Sequence, residues 1–118
     1  MRIAIPVDED QEMVCVSFGR TPYFLIYDTE SGKREVKENS AAQAESGAGI
    51  QAAQFVADAK AEVLITPRCG VNSADVLKEA EIRIYKSEGL TATENLTAFE
   101  ENKLSLLEKF HAGYHGRR

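Results

Sequence analysis

Cys15 and Cys69, Arg20 and Arg68, and three glycine-bearing segments are the residues whose types and spacing suit chemistry. The segments are Ser17-Phe18-Gly19-Arg20, Ser46-Gly47-Ala48-Gly49 and Arg68-Cys69-Gly70-Val71-Asn72. Each lies where a strand-like run meets another element. Glycine there lets backbone N–H groups approach a ligand closely, and a helix opening at the same point favours negative charge. Arginine offers forked donors to an anion. A thiolate beside a helix N-terminus, where its pKa is lowered, is a soft metal ligand. The set therefore suits an anionic, sulfur-seeking ligand. Ordinary roles fit the same residues: a surface salt bridge for each arginine, a tight helix entry for Gly47 and Gly49, and inert thiols.

Other chemistries are less well supplied. Cys15 and Cys69 are half of a tetrahedral set and lack CxxC spacing, so a structural zinc site is not expected, although a dimer could complete one. His111 and His115 have i, i+4 spacing, but Gly113 and Gly116 interrupt the helix they would need. Asp8 ends the first strand, where a two-metal nuclease keeps a carboxylate. The strand ending Thr66-Pro67-Arg68 brings no second acid, and no histidine lies near a nucleophile at that edge. A non-catalytic protein is expected.

Composition narrows the partners. At 118 residues, with 43% apolar and 28% charged residues, the chain suits one globular domain. A net charge of −5 argues against nucleic acid. No apolar run approaches the roughly 20 residues of a membrane span. The segment Met1 to Val7 reads as a strand followed by acids rather than a signal peptide. Two cysteines without an export signal suggest a reducing cytoplasm.

The elements that must position these residues follow from patterning. Arg2 to Val7 is short, apolar and bounded by Asp8, a buried strand. Val14 to Val16 extends its pairing. Pro22 to Asp28 is the clearest strand, and Arg34 to Asn39 returns as a largely polar edge. Ala48 to Ala59 is a helix with Ile50, Ala53, Val56 and Ala57 on its buried face. Glu62 to Thr66 is a strand, Asn72 the N-cap of a helix over Ser73 to Ala80, and Ile82 to Lys86 the last strand. Thr91 and Glu94 form a capping box for a helix to about Asn102. Leu104 to Phe110 is expected to be a further helical piece, with Leu96, Phe99, Leu104 and Leu107 making core or dimer contacts.

The order βββαβαβα implies an α/β fold with parallel crossovers in its second half. With the fourth strand beside the first, the five-stranded mixed sheet has order 3-2-1-4-5, flanked by helices. The carboxyl ends of strands one, three, four and five and the start of strand two then share one edge, where open α/β sheets bind ligands. All three glycine segments fall there.

Four phrases together resemble a known family: Ile3-Ala4-Ile5-Pro6-Val7-Asp8, Ser17-Phe18-Gly19-Arg20-Thr21-Pro22-Tyr23-Phe24, Gly47-Ala48-Gly49-Ile50-Gln51-Ala52-Ala53 and Gly70-Val71-Asn72-Ser73. They are similar to the dinitrogenase iron–molybdenum cofactor biosynthesis family, of the NifX and NifB C-terminal type, over about residues 2 to 103. The resemblance implies a ribonuclease H-like motif without nuclease activity. It also implies non-covalent carriage of an iron–molybdenum–sulfur or related metal–sulfur cluster, or its precursor. The family often has histidine where this chain has Ser17, and a hydroxyl is a poor ligand for soft metals.

The expected cofactor-binding residues are Cys15, Ser17, Gly19, Arg20, Gly47, Gly49, Arg68, Cys69, Gly70 and Asn72, with Cys15 and Cys69 as candidate metal ligands. The expected domain spans 1–110, with a flexible tail over 111–118. The expected partners are a cluster or small anion and a protein acceptor, the chain itself being a monomer or weak homodimer. The alternative is a regulatory or interaction domain binding a phosphorylated small molecule or partner protein at the same edge.

Overall fold

The computed structural model describes residues 1–111. Five strands and three helices alternate as β1 (Arg2–Val7), β2 (Tyr23–Asp28), β3 (Arg34–Glu38), α1 (Ala48–Asp58), β4 (Val63–Thr66), α2 (Val71–Glu79), β5 (Arg83–Lys86) and α3 (Ala92–Glu100). They build one sheet in the order β3-β2-β1-β4-β5. β2 is antiparallel to β1 and β3, whereas β4 runs parallel to β1 and β5. The expected topology is the observed one.

Both faces of the sheet are covered, so β1 reads as a nearly continuous apolar run. Ala4, Phe24, Ile26, Leu64 and Ile84 pack with residues of α1 and α2. Ile3, Ile5, Val7, Leu25, Val63 and Ile65 face the other way, onto Ala92 and Leu96 of α3 and onto Leu104. Leu96 and Leu104 are buried, so they are core contacts. Beyond β1, Val14 bridges to Val7 and Met13 to Thr91, which folds the 8–22 connection back across the sheet end.

Three local expectations change. Helix α2 starts at Val71 with Gly70 as its N-cap, and no side chain caps it. Asn72 is therefore inside the first turn. In α1, Ala48, Ala52, Ala53 and Val56 are buried and Ile50 is exposed. The close approach of small residues turns the helix away from the face that Ile50 would define.

Residues 104–110 form no helix. Lys86 N–H donates to the Ser105 carbonyl (2.8 Å) and Leu107 N–H to the Ile84 carbonyl (2.9 Å), so the segment covers the outer edge of β5. It ends with His111, whose N–H donates to the Cys69 carbonyl (3.3 Å) and whose carbonyl accepts from Val71 N–H (2.8 Å). Edge pairing outweighs the segment's own helical propensity. His115 and the rest of the proposed tail lie outside the described residues.

Candidate functional site

Two of the glycine segments meet at the carboxyl edge of the sheet, and the second also meets Ser73, which follows the third; these contacts depend on missing side chains. A Cβ on Gly19 would lie 2.9 Å from Gly49 N and 3.0 Å from Gly49 Cα. A Cβ on Gly49 would in turn overlap the Ser73 hydroxyl. The turn after β1, the first turn of α1 and the first turn of α2 are thus stacked against one another. Gly47, at φ +70°, supplies the left-handed residue that starts α1.

Neither α1 nor α2 has a side-chain N-cap or an acidic residue in its first turn. By contrast, α3 carries a capping box between Thr91 and Glu94. Helix N-termini expose unpaired N–H groups and positive partial charge. At α2 the Val71 amide is taken by the His111 carbonyl, whereas at α1 Ala48 is buried and Gly49 N lies against Gly19.

A polar framework fixes the turn beside α1. The Ser17 hydroxyl accepts from Arg20 N–H (3.2 Å), closing the turn that holds Gly19. The buried Thr21 hydroxyl donates to the Val7 carbonyl (2.8 Å), tying the turn to the end of β1. Asn39, also buried, donates to the carbonyls of Gly19 (3.1 Å) and Thr21 (2.9 Å) and accepts from Ala41 N–H (3.0 Å). Sequence reasoning did not single out Thr21 or Asn39. Their signal was a polar residue at each strand terminus, one inside the quoted family phrase.

The two arginines differ. Arg20 Nη1 donates to the carbonyls of Ala42 (3.1 Å) and Ala44 (2.7 Å), so it pins the loop leading to Gly47 instead of standing open to an anion. Arg68 is exposed, and its carbonyl accepts from the Thr66 hydroxyl (3.0 Å), which sets the bend after β4.

The cysteines also differ, and here a physical expectation is reversed. Cys69 is 1% exposed and packs in the core with Ala4, Phe24 and Ala74. Burial pushes its thiol up to about 12, against a downward pull from Lys78. Desolvation thus outweighs the lowering expected from proximity to a helix N-terminus. Cys15 is half-buried beside the turn. Its thiol is raised too, by burial first and by the Asp8 carboxylate, while the Thr21 hydroxyl and Ser17 backbone oppose the rise. Both are thiols, not thiolates, at neutral pH. Among the described residues no group of three or more His, Cys, Asp or Glu could hold a metal ion. Among them, too, no helix is long and apolar enough to cross a membrane.

Comparison with known proteins adds to this geometry. Residues 1–102 match the family described as dinitrogenase iron–molybdenum cofactor. The chain is 30% identical over 111 residues to an uncharacterised protein of Methanocaldococcus jannaschii, covering 92% of each. The apo form of the orange protein from Desulfovibrio gigas superposes with a TM-score of 0.83 at 29% identity, covering 90% of this chain and 92% of that one. A Thermotoga protein solved by NMR under a provisional NifB label gives 0.79 at 38% identity, covering 95% and 97%.

Proposed function

We infer that this chain, which belongs to the dinitrogenase iron–molybdenum cofactor family, is a non-catalytic carrier of an anionic metal–sulfur cluster of iron–molybdenum type, or of its precursor. The observation that carries the reading is the pair of helix N-termini, α1 and α2, that lack side-chain caps and first-turn acids and meet where Gly49 packs on the Gly19 turn and on Ser73. Sulfide-rich clusters are anions whose surface sulfurs accept hydrogen bonds. Amides at the start of α1 and in the first turn of α2 donate to them, and the Arg68 guanidinium adds charge.

The cluster is cargo, so weak capture suits the task. Donors that hold it without metal–protein bonds release it to a protein acceptor with no ligand exchange. Cys15, beside the turn, is a neutral thiol and leaves the capture to hydrogen bonds. Cys69 serves the core.

Anaerobic reconstitution with iron, molybdate and sulfide tests this by bound metal and visible absorption. Wild type should retain metal through gel filtration. Arg68→Ala should weaken retention about tenfold or more, the loss of one charge-assisted hydrogen bond. If wild type retains no metal but binds phosphate at the same edge, a phosphorylated ligand replaces the cluster and the carrier reading fails.

A further inference from the structure

The two edges of the sheet are treated differently. The β5 edge is covered by the chain's own 104–111 segment, through Ser105 and Leu107. β3 forms the other edge, and all five of its residues are exposed. It has no proline, but it is short and four of its five residues are charged, which discourages indiscriminate edge pairing and admits only a partner of matching charge.

The direction of its free backbone groups follows from the ladder. Asn39 N–H donates to the Pro22 carbonyl and Asp28 N–H to the Lys33 carbonyl, both in the β2–β3 register. Hydrogen-bonded pairs alternate along an antiparallel ladder. Glu35 and Lys37 therefore bond inward to β2, and Arg34, Val36 and Glu38 point their N–H and C=O groups outward.

We propose that β3 is a self-recognition edge, on which two copies of this chain pair antiparallel about Val36 and join their sheets into one. In that register Val36 faces Val36 of the second copy, Arg34 faces Glu38, and Glu35 faces Lys37. Arg34, Val36 and Glu38 meet only one another, so every outward donor finds an outward acceptor, about six hydrogen bonds in all. Each charged side chain stands opposite its complement. Arg34 already donates to Glu12 (3.1 Å) and Thr93 (3.1 Å), and a guanidinium keeps further donors for Glu38 of the second copy.

Other registers fail on one count or the other. A shift by two residues sets Glu35 against Glu35, or Lys37 against Lys37. A shift by one turns outward groups against inward ones. The sequence Arg-Glu-Val-Lys-Glu is thus complementary to itself in one antiparallel alignment only. The pairing is isologous and closes as a dimer. Its five-residue edge buries little surface, so the association is weak and dependent on concentration.

Sedimentation velocity over a concentration series, at low and high salt, tests the proposal on the intact chain. Wild type should show a monomer–dimer equilibrium that weakens with salt. Glu35→Lys alone and Lys37→Glu alone should each raise the dimer dissociation constant about tenfold, since like charges then face each other. Combining the two changes swaps the charges and should restore dimerisation; because Lys37 also pairs with Glu35 of its own strand (3.5 Å), circular dichroism of each single variant checks that its fold is kept. Val36→Pro removes an outward N–H and should leave only monomer, its circular dichroism reporting that the fold is kept. A monomeric wild type overturns the proposal, as does dimerisation unaffected by the single charge changes.

Discussion

Replacing Gly19 by alanine probes whether the Gly19 and Gly49 segments are clamped together. The added Cβ would stand 2.9 Å from Gly49 N, 3.0 Å from Gly49 Cα and 3.3 Å from the Ala48 carbonyl carbon. All three are backbone atoms, so no side chain can rotate away. Overpacking of this kind costs about 2 kcal/mol. Gly19 is not among the positive-φ glycines, so alanine adopts its backbone without strain. The substitution also stiffens the unfolded chain, worth about 0.7 kcal/mol in the opposite direction. The net loss is about 1.3 kcal/mol, or a fall in Tm of about 5 °C for a domain of this size. Thermal unfolding followed by circular dichroism measures it, with metal retention assayed alongside because the Gly19 turn and α1 must separate. A Tm within about 1 °C of wild type would show that the turn yields freely and that the stacking does not fix the site.

Asn39→Ala should destabilise by about 2–3 kcal/mol, because the buried Thr21 carbonyl and Ala41 amide and the half-buried Gly19 carbonyl lose their partner; denaturant titration measures this. Native protein at neutral pH should resist alkylation at Cys69, whose thiol is pushed up to about 12, and mass spectrometry should find that site modified only after unfolding. The same shift makes Cys69 favour folding below its ordinary value of 9.0 and lose that contribution as pH rises further. Glu12 behaves oppositely: burial raises its carboxyl, but hydrogen bonds from Thr93 and the charge of Arg34 outweigh that and leave it below 4.5. Its contribution is complete above that pH and falls away as acid protonates it, so Glu12→Gln should flatten the acid limb of stability against pH.

The architecture was legible because patterning and crossover rules act on whole elements. Short apolar runs, two parallel crossovers and one polar strand leave few sheet orders, and the predicted order is the one found. Local competition was harder to read. Leu104 to Phe110 has the residues of a helix, yet the unpaired edge of β5 offers backbone partners that a short isolated helix cannot match. Asn72 resembles a cap by type, whereas the chain begins α2 earlier and closes its first amide with the His111 carbonyl.

Within the site, the meeting of Gly19, Gly49 and the start of α2 follows from topology alone. The Ser73 contact does not, since it depends on how closely α1 and α2 approach. Arg20 illustrates the same limit: its type promises anion contact, while its position lets it hold two loop carbonyls. Cys69 sits near a helix start as expected. Its burial in the core cluster that holds Ala4 and Phe24 decides its chemistry.

An oxygen-free titration with tetrathiomolybdate, a sulfide-rich anion, followed by backbone amide NMR shifts, tests anion capture at the α1 edge most directly. Saturable shifts should concentrate on Gly19, Gly49, Ile50 and Ser73, and they should weaken in Arg68→Ala. Shifts confined to the outer face of α2, around Asp75 and Glu79, or no saturable shifts at all, would contradict capture by the stacked glycine segments.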